Sequence, residues 1–137
     1  MASRALADTS ALLGVAMGKD QFHEQAVSIG RRFVGGGGRL VGTTMILGEL
    51  HNLVMVRAGP ATARDAVSAL LDDPAYEWHD APVSLIENAV SGWLYRFTDQ
   101  RFFLTDAVSF ELMRRERLTH AFAFDRHFVT AGFSLLK

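Results

Sequence analysis

Stretches with apolar residues at helical spacing alternate along this chain with short runs that are apolar almost throughout. Phe22, Ala26, Ile29 and Phe33 recur every three or four residues, which is typical of one face of a helix. The runs RALA and HAFAF favour buried strands instead. The pattern predicts helices over 21–33, 43–59, 61–71, 83–97 and 106–117, with another after the first strand, and strands over 4–8, 39–42, 76–80, 102–105, 120–125 and 133–136.

The order of these elements predicts the fold class. Strands alternate with helices nearly throughout, which favours an α/β protein with a mainly parallel sheet. A phosphate-binding loop would need Lys and Ser or Thr after its glycines, opening into a helix. The four glycines at 35–38 instead follow a predicted helix and precede a predicted strand, so they are expected to form a connection. We expect one domain over residues 1–137, since no repeat or long linker divides the chain.

Composition narrows the classes of function. Hydrophobic residues make up 49% of the chain and charged residues 21%, with a formal net charge of −1, so bulk charge does not indicate nucleic-acid or membrane binding. The absence of cysteine excludes disulfides, thiolate metal sites and cysteine nucleophiles. No apolar stretch reaches the length of a membrane span, and Asp8 interrupts the N-terminal apolar residues early. We therefore expect a cytoplasmic protein without a signal peptide or a membrane partner.

Acidic residues end three of the predicted strands. Asp8 follows RALA, Asp106 follows FFLT and Asp125 follows HAFAF. A single such acid would indicate only a helix cap. Because the carboxyl ends of parallel strands meet at one edge of a sheet, however, the three carboxylates are expected to lie together. Glu49 lies in the helix over 43–59 and is expected to face the same polar pocket. Its apolar neighbours at helical spacing, which are expected to be buried, are Ile46, Leu50, Leu53 and Val54.

Clustered carboxylates without cysteine or a histidine pair select hard cations, Mg²⁺ or Mn²⁺, over zinc. Like charges at one place repel one another unless they are protonated or bridged by a cation. Such ions activate water and orient a phosphodiester, so phosphoryl transfer or phosphodiester cleavage is expected. Other enzyme classes fit less well. The chain has no G-x-S-x-G elbow of a serine hydrolase, and DTS replaces the Asp-x-Asp of a haloacid-dehalogenase-like phosphatase after the first strand.

Four segments together resemble one known family. ADTSALL after the first strand, GEL in the helix over 43–59, DQRFFLTDAVSFELMR and AFAFDRHFVTAGF are similar, in this order, to the PIN domain. They resemble more closely its VapC-like toxin branch, from type II toxin–antitoxin systems, and the resemblance spans about residues 4–133. It implies a three-layer α/β/α sandwich around a parallel sheet. It also implies a Mg²⁺- or Mn²⁺-dependent endoribonuclease that cleaves RNA phosphodiester bonds with metal-activated water.

The resemblance further implies roles for particular residues. Asp8, Glu49, Asp106 and Asp125 match the acids that hold the metal and catalyse cleavage. Asp99 matches a further acid often found near the metal, and a loop or capping role is equally open for it. The hydroxyl residues that match pocket-orienting positions are Thr9, Ser10 and Thr105.

Some positively charged and imidazole side chains lie close to these acids in the sequence. Arg96, Arg101 and Arg126 are candidates for contacts with an RNA backbone, although each alone is expected to be a solvated surface charge. His51 and His127 each lie two residues after one of the acids. Both are expected to pack or hydrogen-bond rather than to act as a general base.

Phe103 is a departure from the family pattern, since related sequences commonly show serine at this place. Its neighbour Leu104 is expected to be buried in the alternating strand over 102–105. Phe103 is therefore expected to pack against a neighbouring element and to alter at most the rim of the pocket.

The toxin resemblance also implies partners: an RNA substrate, a cognate antitoxin that covers the site, and often a homodimer. Two other functions stay open at this point. One is a non-catalytic PIN-like binding module in RNA processing, and retention of all four acids counts against it. The other is a metal-dependent DNA nuclease, because contacts to the ribose 2′-OH are not visible in a sequence.

Overall fold

The computed structural model describes residues 3–137. In that part of the chain the strands are β1 (Arg4–Ala7), β2 (Arg39–Thr43), β3 (Tyr76–His79), β4 (His120–Phe122) and β5 (Ser134–Leu135). The α-helices are α1 (Thr9–Ala16), α2 (His23–Gly35), α3 (Thr44–Ala58), α4 (Pro60–Asp72), α5 (Val83–Ala89), α6 (Leu104–Glu116) and α7 (His127–Thr130). A π-helical turn, Val90–Leu94, continues α5.

The strands form one sheet in the order β3-β2-β1-β4-β5, and every neighbouring pair is parallel. The predicted parallel sheet is thus confirmed. The chain builds outward from β1 through β2 and β3, then returns to add β4 and β5 on the other side. A reversal of this kind opens a crevice at the carboxyl ends of the two strands beside it. Those strands are β1 and β4, so the fold places its crevice above Ala7 and Phe122.

Helices cover both faces of the sheet, which confirms the three-layer α/β/α arrangement. Right-handed crossovers place α1–α4 on one face and α5–α7 on the other. In agreement, α1 packs on α2 and α3 on α4, while α6 packs on both α5 and α7. Large apolar side chains such as Leu6, Phe110 and Phe128 are fully buried between the layers. Within residues 3–137, no helix combines the length and the apolar character that crossing a membrane requires.

Helix α3 begins and ends at the residues that the sequence indicated. The Thr43 hydroxyl accepts a hydrogen bond from the Ile46 N–H at 3.4 Å, which caps the first turn. Gly59 ends the helix with φ of 89°, a left-handed conformation that favours glycine. Gly42, just before α3, faces Trp78 of β3 so closely that a Cβ there would overlap the indole ring. The start of α3 is therefore fixed against the sheet.

The predicted strand over 102–105 is wrong. Phe102 is buried against Phe110, with ring centroids 5.0 Å apart, and α6 begins two residues later at Leu104. The apolar run therefore anchors the start of a helix rather than a strand. Phe103 is 71% exposed and Leu104 38% exposed, so the expected packing of Phe103 beside a buried Leu104 is also wrong.

Other differences concern the ends of elements. Strand β4 ends at Phe122 rather than at Asp125, because the Phe124 N–H donates to the Ser10 hydroxyl instead of to a neighbouring strand. The helix predicted over 83–97 changes to π-helical geometry after Ala89. Leu53, expected in the buried stripe of α3, is 37% exposed.

Candidate active site

Asp8 lies at the carboxyl end of the central strand β1 and is 3% exposed. Its backbone N–H donates to the Phe122 carbonyl of β4 at 2.9 Å, so its position is fixed by both central strands. Its carboxylate caps α1: Oδ2 accepts from the Ser10 N–H at 3.2 Å and from the Ser10 hydroxyl at 2.6 Å. Asp8 rather than Thr9 or Ser10 is therefore the cap of this helix, and the carboxylate is held at the crevice by bonds within the fold.

Ser10, in the first turn of α1, is hydrogen-bonded to a residue that follows each central strand. Its Oγ donates to Asp8 and accepts from the Phe124 N–H at 3.0 Å. Thr9, beside it, is 4% exposed, and its hydroxyl oxygen has no hydrogen-bond partner among the described residues. An unsatisfied buried hydroxyl is costly and is commonly found where a ligand or an ordered water completes the site. Two of the three predicted pocket-orienting residues, Thr9 and Ser10, thus lie beside Asp8.

Asp106 lies in the first turn of α6, where it accepts a hydrogen bond from the Phe103 N–H at 3.0 Å. Asp106 therefore caps its helix, which is the role expected of a single acid at this place. The same carboxylate is 6% exposed and faces the crevice. Thr105 precedes it and is also largely buried. Asp106 can cap the helix and also belong to the site, because the cap bond uses only Oδ2 of its carboxylate.

Asp125 and His127 form a tight turn after β4. Asp125 Oδ1 accepts from the His127 N–H at 2.8 Å. The Nδ1 atom of His127 lies 3.3 Å from Asp125 Oδ1 and 3.4 Å from Asp106 Oδ2, and it has no hydrogen-bond partner among the described residues. The ring also meets the Phe102 ring edge-on, with centroids 5.3 Å apart. One ligand atom from each of Asp106, Asp125 and His127 lies within 4.8 Å of the others, a group that could hold a metal ion.

One cavity of about 380 Å³ collects the predicted acids. Asp8, Glu49, Asp106 and Asp125 all contribute to its wall although they come from four separate elements and loops. Glu49 reaches it from α3 and is half-buried. The full lining is Asp8, Thr9, Ser10, Leu13, Glu49, Leu53, Phe103, Asp106 and Asp125.

The carboxylates of this cavity disfavour one another's ionised forms. Burial, with a smaller contribution from the charges of Asp106 and Asp125, raises the pKa of Asp8 to about 7 against the opposing hydrogen bonds from Ser10. Burial also raises the pKa of Asp106, and Asp125 adds to this, whereas the Phe103 N–H and His127 lower it. A bound cation would relieve this repulsion, so the electrostatics of the cavity favour a positively charged ligand.

Several candidates lie outside this cavity. Asp99 is exposed in the loop before α6 and accepts a bond from the Gln100 side chain at 3.5 Å. Arg96, Arg101 and Arg126 are exposed, and none of the three forms a salt bridge within residues 3–137. His51 on α3 does not line the cavity.

A second acidic group is already occupied by a cation of the chain itself. Glu77, His79 and Glu116 offer ligand atoms within 4.8 Å of one another. The Arg4 guanidinium, however, bonds to the carboxylate of Glu77 and lies 2.9 Å from that of Glu116. This group is therefore an ion-pair network that links β1, β3 and α6.

Sequence reasoning missed a further buried acid, Glu111 of α6. Its carboxylate accepts from Arg114 at 2.7 and 3.0 Å, from Arg115 at 3.2 Å and from the Trp93 indole at 3.2 Å. The hydrogen bonds from Arg114 contribute most to lowering the pKa of Glu111. Trp93 belongs to the π-helical turn, so this carboxylate holds that turn against α6 and has a structural role.

The parallel sheet, with carboxylates at the carboxyl ends of its central strands, agrees with the predicted PIN-like α/β fold. No family model matches the chain. The 23S rRNA-specific endonuclease VapC20 of Mycobacterium tuberculosis, in each of two strains, is 32% identical over 88 residues, which are 64% of this chain and 66% of that relative. The aligned stretch thus spans just under two thirds of the relative.

Solved structures extend the likeness over nearly the whole chain. The crystal structure of Mycobacterium tuberculosis VapC20, a sarcin–ricin loop cleaving toxin, has a TM-score of 0.84 at 27% identity and covers 96% of both chains. VapBC2 from Rickettsia felis, bound to a DNA fragment from its promoter, has a TM-score of 0.70 at 10% identity with the same coverage, which is a likeness of fold alone. Both the sequence and the fold of the chain are thus similar to those of a VapC-like toxin. The predicted resemblance is thereby confirmed.

Proposed function

We propose that this protein is a toxin endoribonuclease that hydrolyses RNA phosphodiester bonds with a divalent cation, Mg²⁺ or Mn²⁺. The observation that carries the proposal is the convergence of Asp8, Glu49, Asp106 and Asp125 on one cavity at the strand-order reversal. Buried carboxylates raise one another's pKa values there, which a cation would reverse. The family supplies the substrate class, since the relative VapC20 is an endonuclease of 23S rRNA.

The residues present fit a hard divalent cation. The donors are carboxylate oxygens with at most one imidazole, which is the chemistry that Mg²⁺ and Mn²⁺ prefer. The buried Thr9 hydroxyl without a partner provides another oxygen beside Asp8. Asp8, Asp106 and Asp125 would hold the ion, with Glu49 completing the site from α3. When bound, the ion supplies Lewis-acid stabilisation of charge on phosphoryl oxygens and a lower pKa for its water.

The chain's own residues prepare this site in definite ways. Ser10 holds Asp8 with a charge-assisted hydrogen bond, and the Phe103 N–H orients the Asp106 carboxylate. Glu49 is half-buried and the cavity wall also includes Leu13 and Leu53, so part of the surface around the carboxylates is apolar. These features preorganise the carboxylates, and such preorganisation is what electrostatic catalysis of phosphodiester cleavage requires.

We propose a stem–loop of ribosomal RNA as the natural substrate, because VapC20 is named for 23S rRNA and for cleavage of the sarcin–ricin loop. A cognate antitoxin that covers the cavity, a homodimer and a cytoplasmic location are part of the same proposal. Residues 1–137 would form a single PIN-like domain, a proposal supported by the packing of all described elements on one sheet.

The experiment is cleavage of purified ribosomes, of fluorogenic RNA and of matched DNA oligonucleotides, each with Mg²⁺, with Mn²⁺ and with EDTA. Asp8→Asn is the test variant, and Asp65→Asn is the matched control because Asp65 is exposed and does not line the cavity. Cleavage of RNA that needs the cation and is lost only in Asp8→Asn supports the proposal. Cleavage of DNA alone would make the protein a DNA nuclease, and binding of Mn²⁺ and RNA without any cleavage would make it a binding module.

A further inference from the structure

Phe103 is an exposed aromatic side chain at the edge of the acidic cavity. It is 71% exposed and lines the same cavity as the four acids. Because most of this ring stays in contact with water, the protein does not gain the free energy that its burial would provide. An aromatic ring placed next to candidate catalytic groups therefore has the position of a substrate contact.

The backbone beneath this ring is held firmly. The Phe103 N–H donates to Asp106 Oδ2 at 3.0 Å, and the Phe103 carbonyl accepts from the Ala107 N–H at 3.1 Å. Phe102, the preceding residue, is buried in the aromatic core against Phe110. The backbone that carries the exposed ring is thus fixed relative to a proposed metal ligand only three residues away.

The charge of the cavity favours a contact of this kind. Four carboxylates line it, so the phosphates of an RNA strand would be repelled except where the cation lies. Close to the acids, uncharged groups are therefore better suited than the phosphates to add affinity. Single-stranded RNA offers unstacked bases, which bind well to exposed aromatic rings.

We propose that Phe103 stacks on an unpaired base of the RNA next to the scissile phosphate and thereby sets the substrate's register. This inference rests on the proposed function and names one subsite of that substrate. Leu53 of α3, which is 37% exposed and lines the same cavity, would give the base a second apolar contact. The occupant is a nucleobase, since the neighbouring groups are those proposed to act on its phosphate.

The test compares Phe103→Ala, Phe103→Leu and Phe103→Trp in steady-state cleavage of an RNA that the wild-type protein cleaves. Stacking predicts a kcat/KM lower by about 5- to 100-fold in Phe103→Ala, mostly through KM, with Phe103→Leu close to it and Phe103→Trp near wild type. Mn²⁺ affinity by calorimetry stays at the wild-type value in all three variants. Tyr95→Ala is the matched control, because Tyr95 is 76% exposed and does not line the cavity.

An unchanged kcat/KM in Phe103→Ala overturns the inference, even if sedimentation shows that self-association is weakened. Wild-type activity in Phe103→Leu also overturns it, since aliphatic packing would then suffice. If the wild-type protein cleaves no RNA, the proposed function fails and binding decides the inference separately. In that case single-stranded RNA carrying 2-aminopurine is titrated into Asp8→Asn with and without Phe103→Ala. Stacking is supported if the 2-aminopurine fluorescence is quenched by Asp8→Asn but not by the double variant with Phe103→Ala. The inference is overturned if neither protein quenches the fluorescence or if both do.

Discussion

Ser10 Oγ lies 2.6 Å from the Asp8 carboxylate and also accepts the Phe124 N–H at 3.0 Å. One hydroxyl therefore joins a proposed metal ligand to the loop that carries another. Ser10 and Phe124 are 114 positions apart in the sequence. The geometry of the acidic crevice consequently depends on a small side chain that never needs to touch a metal or a substrate.

Replacing Ser10 by Ala is expected to lower both stability and metal affinity. The Phe124 N–H loses its acceptor and Asp8 loses a charge-assisted bond, so the free energy of unfolding should fall by about 1–3 kcal/mol. Urea denaturation and Mn²⁺ calorimetry measure the two effects. Ser10→Thr keeps the hydroxyl and should restore most of both, whereas a Ser10→Ala protein with wild-type values would show that the hydroxyl does not organise the crevice.

The stability of the metal-free protein should depend on pH through Asp8. Its folded-state pKa is about 7 against an ordinary value of 3.8, so the folded protein binds the proton more tightly than the unfolded chain. Stability from this group is therefore greatest below about pH 4 and falls as pH rises to about 7. Asp8→Asn removes the ionisable group while keeping an acceptor for Ser10. Without metal, the variant should exceed the wild type in unfolding free energy at pH 8 by an amount on the order of 3 kcal/mol.

Thermal melts in EDTA from pH 5 to pH 8 measure this difference. The gap between Asp8→Asn and wild type should narrow toward pH 5, and Asp65→Asn should show no comparable gap. Adding Mn²⁺ should raise the melting temperature of the wild type more than that of Asp8→Asn, because only the wild type retains the full carboxylate set. A gap that is the same at every pH would mean that Asp8 ionises as readily in the fold as in water.

His127→Asn is expected to weaken Mn²⁺ binding by about 10-fold or more. The Nδ1 atom lies 3.3 Å from Asp125 and 3.4 Å from Asp106, where it can join or orient the ligand oxygens. Calorimetry at one fixed pH measures the affinity, and urea denaturation checks that the variant is folded. His51→Asn provides a matched control outside the cavity. Equal Mn²⁺ affinities of His127→Asn and wild type would show that His127 takes no part in metal binding and only packs against Phe102.

Two glycines beside the start of α3 should respond in opposite ways to alanine. A Cβ at Gly42 would overlap the Trp78 ring, so Gly42→Ala should destabilise the protein by about 1–3 kcal/mol. A Cβ at Gly48, inside α3, meets no atom within 4 Å, so Gly48→Ala should stabilise by up to about 1 kcal/mol through helix propensity. Urea denaturation of both variants tests the pair. Destabilisation by both would mean that α3 does not tolerate added side-chain volume at either position.

Sequence reasoning predicted the parts of the fold that depend on local pattern. The apolar run before Asp8 is a central strand, and Thr43 and Gly59 delimit α3 as expected. Asp106 lines the same cavity as Asp8, but it does so from the first turn of a helix rather than from the end of a strand. The run FFLT wrongly predicted a strand because its apolar residues resemble a buried strand. In the structure only Phe102 of its three apolar residues is buried.

What the sequence did not indicate depends on contacts between distant segments. Glu111 is buried because Trp93 and two arginines satisfy its carboxylate, and no local pattern marks that arrangement. His127 lies between two acids only because α6 and the turn after β4 meet over Phe102. Phe103 is likewise exposed, although it is apolar, because it lies at the start of α6, where its N–H donates to Asp106.

The order β3-β2-β1-β4-β5 also determines when the site can exist during synthesis. Asp8, Glu49 and Asp106 precede β4 in the chain, and Asp125 follows it. A growing polypeptide that has not yet placed β4 beside β1 lacks the fourth acid and the Phe124 N–H that fixes Ser10. A nascent chain therefore cannot assemble the four-acid cavity until its last strands have joined the sheet.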